Sequence, residues 1–274
     1  MTKTEHALLR WGHLPLKATI ALWLIAIVGM LIGWWAPRWT WVFYFVASVI
    51  ALALAQQWVM AARERYIREA PLPRFLQRKL VSIYPHLSPK DCELVERGLR
   101  QFFLACLRSR QQFVAMPSQA VDALWHEFIL HTQGYKHWCA RALGCFLHHT
   151  PAEALGSRSR HNDGLRRAWY WACKEESIDP KAPSRLPLLF ALDAKFAIPN
   201  GFHYVPDCRL LGSHNSPGTD GGSPYCGTDF AEGGYSGSSG DFGGMDSSGG
   251  GDGGSDGGGD GGGCGGGCGG GGGD

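Results

Sequence analysis

The last 64 residues of the chain contain no lysine and no arginine. This segment, 211–274, holds 30 of the 39 glycines and nine of the 24 acidic residues, so its charge is −9, whereas residues 1–210 carry +11. A segment with so few apolar side chains cannot offset the conformational entropy that folding removes. We therefore predict that residues 211–274 form a disordered, acidic, glycine-rich tail.

Two other interpretations of the tail stay open. Aspartate recurs among the glycines, as in calcium-binding repeats, but the apolar position that packs a β-roll is missing. Cys264 and Cys268 lie four residues apart and can meet across a metal or oxidise together. The neighbouring aspartates disfavour the thiolate and so oppose special reactivity of this pair.

No CxxC pair occurs among the nine cysteines, and their number is odd. Most of them stand in apolar, helix-like segments. This pattern indicates reduced, buried thiols in a reducing compartment and not a disulfide framework. The basic body also lacks any recognised RNA-binding or DNA-binding motif, so no nucleic-acid partner is expected.

Two apolar runs lie near the N-terminus, at 18–36 and 39–62, and neither contains a charged side chain. As a helix, the first run is about 28 Å long, close to the roughly 30 Å hydrocarbon core of a bilayer. Tryptophans cluster where the runs meet, as at membrane interfaces. A link of about two residues, Pro37 and Arg38, makes the helices antiparallel neighbours. We therefore predict a transmembrane helical hairpin within residues 1–62.

Basic residues determine the predicted orientation of this hairpin. Three precede the first run and six lie between residues 63 and 79, whereas the link holds only Arg38. The positive-inside rule then predicts a multi-pass protein of the cell membrane with both termini in the cytoplasm and the lipid bilayer as a partner. Gly29 and Gly33 form a GxxxG pattern, which serves either to pack the two helices or to dock a membrane partner.

Residues 63–210 show no sustained alternation of apolar and polar residues, so a helical domain is predicted there. Ser88, Pro89 and Asp91 form a well-defined helix start, and this helix should reach about Arg110. Further helices are predicted over 75–83, 118–132, 135–143, 163–176 and 187–196, with a capping signature at 150–153. The predicted fold class is all-α: a transmembrane hairpin, a cytoplasmic domain of about six helices and a disordered tail.

Histidines crowd one part of this domain, since six of the eleven lie between residues 126 and 161. Asp122 and His126 are four residues apart and share one helix face. The pair His148 and His149 follows a turn predicted at Gly144 and can fold back on that helix. These side chains are candidate ligands of a divalent transition metal: Asp122, His126, His131, His148 and His149. The alternative is that they are structural histidines that fix core packing.

The sequence HEFILH at 126–131 invites comparison with the HExxH motif of zinc proteases. Here the two histidines are five residues apart, which rotates one from the other by about 140° around a helix. They cannot both face one zinc ion, so the spacing excludes a zincin.

A spaced set of residues around this segment resembles the central motif of the glycine-rich domain-containing proteins, known best from plants. The matching residues are Asp122, Trp125, His126, Leu130, Tyr135 and Cys139. That family usually has a second histidine two residues after the first, where this chain has Phe128, so a two-histidine site is not carried over. The resemblance covers roughly 40 residues, with the glycine-rich C-terminus as a second point. It implies a type of domain and not a reaction.

No recognisable catalytic constellation accompanies these features. The sequence therefore favours a non-catalytic, membrane-anchored protein whose helical domain acts as a binding or scaffolding module for a protein partner, with the tail as a flexible arm. The alternative is a metal-binding enzyme or sensor that uses the aspartate and histidines named above.

Overall fold

The computed structural model describes residues 14–36, 38–110, 112–150, 163–207, 225–232 and 244–246. These residues are predominantly helical, which confirms the predicted fold class in its main content. The helices are α1 (Leu14–Leu31), α2 (Thr40–Glu69), α3 (Phe75–Ile83), α4 (Pro89–Arg108), α5 (Gln119–Leu130), α6 (Thr132–Ala142), α7 (Asp163–Glu175), α8 (Leu188–Lys195) and α9 (Gly227–Glu232). The strands are β1 (Val114–Ala115), β2 (His148–Thr150), β3 (Tyr204–Val205), β4 (Tyr225–Cys226) and β5 (Gly244–Asp246).

The helices α1 and α2 lie side by side. The indole Nε1 of Trp23 donates a 3.0 Å hydrogen bond to Ser48 Oγ, and the Trp23 ring meets the Phe45 ring edge-on with centroids 5.3 Å apart. Within the described residues, one helix, α2 (Thr40–Glu69), is long and apolar enough to cross a membrane, and Leu16–Leu31 within α1 is a shorter apolar stretch.

The first apolar helix ends earlier than the sequence predicted. Gly33 adopts a φ of +83°, a left-handed conformation that commonly ends helices. The Trp34 N–H then donates to the Gly29 carbonyl oxygen at 2.9 Å. Since α1 stops at Leu31 and α2 begins at Thr40, the connection is longer than the two residues expected.

Gly29, the first glycine of the GxxxG pattern, lies against a side chain of the same chain. A Cβ atom at Gly29 would lie 2.6 Å from the ring of Trp35, so this glycine makes room for a side chain from the turn that follows. Gly33 belongs to that turn and not to the helix.

The helix α2 continues without interruption from its apolar run into the helical domain. Its buried residues lie towards its C-terminal end: Val59, Ala62, Tyr66 and Ile67. The helix ends at Glu69, just before Pro71, because proline lacks a backbone donor and clashes with the preceding helical turn. The apolar run and residues 63–69 of the domain therefore form one continuous helix.

An ionic network ties the end of α2 to α4 and α7. Arg108 donates to both carboxylate oxygens of Glu64 at 2.9 and 2.8 Å. Arg68 donates to Glu175 at 2.8 and 2.9 Å, and Arg108 also lies 2.9 Å from Glu175. The hydrogen bond from Arg108 holds the pKa of Glu64 below its usual value. The network joins three helices and so fixes the direction in which α2 leaves the domain.

The helix α4 forms the centre of the domain and packs against α2, α3, α5, α7 and α8. Its predicted start is confirmed, because Ser88 and Asp91 form a reciprocal capping box with Pro89 in the first turn. Phe102 and Phe103 are fully buried, and the Phe102 ring lies 5.0 Å from the ring of Trp125 on α5. This aromatic contact seats α5 against the core.

Six helices, α3 to α8, lie within residues 63–210 of the described chain, in agreement with the predicted number. The break between α5 and α6 falls at His131, whose backbone is not helical, and not at Gly134 as expected. Gly134 lies inside α6, where a Cβ atom would be 2.2 Å from the His131 ring. The glycine thus permits a close contact of the histidine and does not end a helix.

Residues beyond the predicted domain boundary at residue 210 contact the helical domain. Tyr225 pairs with Tyr204 in the parallel β3–β4 ladder, and Phe230 on α9 is buried against Trp169 with ring centroids 5.8 Å apart. A Cβ atom at Gly227 would lie 2.3 Å from the Trp169 ring, so glycine here permits close packing. Aromatic residues thus join the described residues 225–232 of the glycine-rich segment to the domain. Cys264 and Cys268 lie outside the described residues.

The cysteines also differ from expectation at one position. Cys226 is disulfide-bonded, whereas the sequence predicted only reduced thiols. The other cysteines of the described chain are not in disulfides: Cys92, Cys106, Cys139, Cys145 and Cys173. A disulfide requires an oxidant and a fold that brings two cysteines together, and spacing along the chain reveals neither.

The short strands were not predicted. Among the described residues, β5 lies between β1 and β2 in an antiparallel sheet, with Met245 opposite both Val114 and His149. Strands of two or three residues are too short to show alternation, and their partners are distant in the chain.

Candidate metal centre

The helix α5 presents the candidate site, and its N-terminus is fixed by a buried carboxylate. Asp193 on α8 is 1 % exposed and accepts a hydrogen bond from Ser118 Oγ at 2.6 Å. It also accepts from the backbone N–H groups of Gln119, Ala120 and Phe202 at 2.7, 3.2 and 3.0 Å. A carboxylate at a helix N-terminus satisfies donors that have no partner within the helix. The first turn of α5, which carries Asp122, is held in place in this way.

Three side chains converge on the outer face of this helix, and we call them the Asp–His–His cluster: Asp122, His126 and His149. Asp122 Oδ2 lies 3.2 Å from His126 Nδ1, and Asp122 Oδ1 lies 3.1 Å from His149 Nε2. One ligand atom from each residue lies within 4.8 Å of the others. The sequence prediction that His148 or His149 folds back on the helix is confirmed for His149.

The three side chains of the Asp–His–His cluster differ in solvent exposure, and Asp122 is ionised. The side chains of His126, Asp122 and His149 are 51, 22 and 11 % exposed. Burial alone raises the pKa of Asp122, but hydrogen bonds with His126 and His149 outweigh it and leave that pKa below its usual value. The hydrogen bond to Asp122 raises the pKa of His126. Asp122 is therefore an anionic acceptor shared by two imidazoles, one of which faces solvent.

The donor set suits a divalent transition metal. Two imidazoles and one carboxylate bind zinc or non-haem iron in many proteins. With zinc–ligand bonds of about 2.0–2.1 Å, neighbouring donors of a tetrahedral site are about 3.3 Å apart. The two donor pairs at 3.1 and 3.2 Å already have this separation. Metal binding requires that the two histidines approach each other and that His126 Nδ1 leave its 2.9 Å hydrogen bond with the Asp122 backbone oxygen.

A buried hydrogen-bonded chain positions His149 over α5. The Trp125 indole N–H donates to the Tyr135 hydroxyl at 3.0 Å, and that hydroxyl donates to the Leu147 carbonyl oxygen at 2.8 Å. Two residues later, the His149 ring meets the Trp125 ring edge-on at 4.7 Å. Trp125 and Tyr135, two residues of the spaced motif, therefore link α5 and α6 to the segment that carries the third member of the cluster.

The other predicted ligands lie elsewhere. His131 separates α5 from α6, and its ring contacts the Phe75 ring at 5.2 Å. His148 is exposed, and its ring contacts Phe146 at 4.7 Å. Neighbouring residues of a strand point to opposite sides, so only one histidine of the pair reaches Asp122.

Some of the remaining motif positions have structural roles, and for one of them the structure offers no explanation. Burial raises the pKa of Cys139 to about 11, so its thiol is protonated near neutral pH. Phe128, at the place of the family's second histidine, is buried against the rings of Tyr135 and Trp138. Leu130 is exposed, and nothing in the structure explains its place in the motif.

Sequence reasoning missed two residues that support the site. Asp193 is the only acid in α8, whose other residues except Lys195 are apolar, and a lone acid in such a helix is a sign of a buried carboxylate. Arg63 donates from α2 to the Leu143 carbonyl oxygen at the end of α6. The sequence did not predict this hydrogen bond of Arg63, because the basic residues around it suggested only the orientation of the chain in a membrane.

The pattern that defines the UCP032817-like family matches residues 62–230, more than half of the chain. The chain belongs to this family. The UCP032817-like region begins within α2, contains the whole Asp–His–His cluster and ends in α9, which agrees with a folded domain that extends beyond residue 210. Neither a curated protein nor a solved structure matches the chain. The family's description states no activity, and the resemblance to glycine-rich domain-containing proteins stays a prediction.

Proposed function

We propose that this is a membrane-anchored metal-binding protein whose helical domain holds a divalent transition metal at Asp122, His126 and His149. The observation that carries the proposal is the convergence of one ligand atom from each of these residues within 4.8 Å. Two of them are on one helix, and the third comes from a segment that the Trp125–Tyr135 hydrogen bonds hold in place.

The open side of the cluster indicates what such a site is suited to do. Structural zinc sites are closed by four protein ligands, whereas catalytic sites have three and leave a position for water or substrate. Here there are three candidate ligands, and the His126 side chain is half-exposed. This arrangement favours ligand exchange at the metal, as an enzyme or a sensor requires, over a purely structural ion.

Metal analysis of the purified full chain tests this proposal. In detergent, with Cys264→Ser and Cys268→Ser to remove tail thiols as ligands, we expect about one equivalent of zinc after equilibration and desalting. The same chain carrying Asp122→Asn is the control and should retain far less. Less than about a tenth of an equivalent in the parent chain would contradict the proposal.

We also propose that α1 and α2 form a transmembrane hairpin of a multi-pass cell-membrane protein with both termini in the cytoplasm. The support is the apolar length of α2, the shorter apolar α1 packed along it, and the basic residues that flank both. The exposed side chains of Leu22, Phe43 and Leu54 suit a lipid environment.

Reporter fusions test this topology. Alkaline phosphatase fused after Arg38 should be active outside the cell, and green fluorescent protein fused to the C-terminus of the full chain should fluoresce inside. Adding two lysines beside Arg38 is a matched variant, which should weaken insertion of the hairpin because the connection would carry more positive charge. An inactive phosphatase fusion beside a fluorescent C-terminal fusion would exclude the hairpin.

The scaffolding role, a protein partner of the helical domain or tail, and disorder of the glycine-rich end stay predictions. The metal proposal is compatible with each, because a metal-dependent sensor also needs a surface that passes its signal to a partner.

A further inference from the structure

Arg63 connects the end of the apolar run to the end of α6. It is the first charged residue after 39–62, and its Nη1 donates a 3.1 Å hydrogen bond to the Leu143 carbonyl oxygen. Its guanidinium lies over Gly144, where a Cβ atom would be 2.3 Å from Nη2. Gly144 also has a φ of +80°, so its backbone conformation and the close approach of Arg63 both require glycine at this position.

The residues after α6, which we call the 143–147 turn, are held at both ends. Arg63 binds the Leu143 carbonyl oxygen, and the Tyr135 hydroxyl binds the Leu147 carbonyl oxygen at 2.8 Å. His149 follows two residues later and contacts Asp122. A short series of hydrogen bonds therefore connects α2 to the Asp–His–His cluster.

We propose that Arg63 is a positioning residue for the metal ligand His149, and that metal binding and the position of α2 are thermodynamically linked. This inference rests on the proposed metal-binding function. A ligand segment that is held before metal arrives loses less conformational freedom on binding, so it binds more tightly. Linkage is reciprocal, so bound metal must in turn favour the position of α2 in which Arg63 reaches Leu143.

A local role for Arg63 makes a different prediction. Leu143 is the C-cap of α6, and a cation at a helix C-terminus stabilises the helix. If Arg63 did only this, its loss would lower the unfolding temperature but leave the metal affinity of the folded domain unchanged. Metal affinity below the unfolding transition therefore separates the two roles.

Cobalt titration of the full chain in detergent, with Cys264→Ser and Cys268→Ser, provides this measurement. We expect Arg63→Met to raise the cobalt Kd about tenfold, the lower end of the range for residues that orient metal ligands. Arg65→Met, at an exposed arginine of the same helix, is the control and should change the Kd by less than about twofold. Arg63→Lys should recover part of the affinity, because lysine keeps a donor but not its geometry.

Hydrogen exchange measures the reciprocal effect. Cobalt should slow amide exchange of residues 59–66 of α2 in the parent chain, and this protection should be lost in Arg63→Met. An unchanged Kd and unchanged protection in Arg63→Met, with cobalt bound by the parent chain, would overturn the inference and leave the metal site standing. Absence of cobalt binding by the parent chain would overturn the proposed function and the inference with it. If Arg63→Met does not fold, the cobalt Kd and the protection of residues 59–66 are compared between Arg63→Lys and the parent chain instead.

Discussion

Replacing Asp193 by alanine is expected to lower the free energy of unfolding of the helical domain by about 4 kcal/mol. The carboxylate is 1 % exposed and accepts four hydrogen bonds, from Ser118 Oγ and from three backbone N–H groups. Alanine would leave these donors without an acceptor in the interior, at about 1–3 kcal/mol for each buried donor that water does not reach. Asp193→Asn keeps one acceptor oxygen and should cost about half as much.

Chemical denaturation in detergent, followed by tryptophan fluorescence and helical circular dichroism, measures this effect. Asp179→Ala is the matched control, because Asp179 is exposed and accepts one hydrogen bond, from the Lys181 N–H. It should cost less than about 1 kcal/mol. A loss below about 1 kcal/mol in Asp193→Ala would show that water or a local shift replaces the carboxylate.

His149→Ala is expected to weaken zinc or cobalt binding at least about a hundredfold, because it removes one of three ligands. His148→Ala is the matched control: it removes the same side chain one residue earlier in β2, where the ring is exposed and contacts Phe146. Its Kd should stay within about twofold of the parent value. The two variants have the same composition and differ only in the side of the strand from which a histidine is lost.

A third variant distinguishes metal ligation from hydrogen bonding. His149→Gln keeps a donor that can reach Asp122, but an amide is a poor ligand for zinc. If the cluster binds metal, Gln should resemble Ala in Kd while the stability without metal stays nearer the parent value. Equal affinity in His149→Ala, His149→Gln and His148→Ala would exclude the cluster as the binding site.

The sequence predicted those features whose residues all lie in one short chain segment. Ser88, Pro89 and Asp91 predicted the start of α4. The number of helices in the domain and the shared face of Asp122 and His126 also follow from spacing along a single chain segment. These features depend on backbone hydrogen bonding and side-chain periodicity, which are local properties.

Other features required contacts between distant segments, and only the tertiary structure decided them. The choice of His149 over His148 depends on a strand, too short to be seen in the sequence, that the Tyr135–Leu147 hydrogen bond places over α5. Phe230 joins the domain because Trp169 lies opposite it, although its own neighbours are glycine-rich.

The sequence by itself determined that the chain has apolar runs near its N-terminus, a helical body and an acidic glycine-rich end. Composition and periodicity are enough for these properties, because each reflects the preference of residues for water, lipid or helix. The tertiary structure decided which three side chains converge, that Asp193 fixes the helix of Asp122 and His126, and that Arg63 joins α2 to the 143–147 turn. Such contacts depend on how helices pack, and packing joins residues that the sequence separates by 27 to 80 positions.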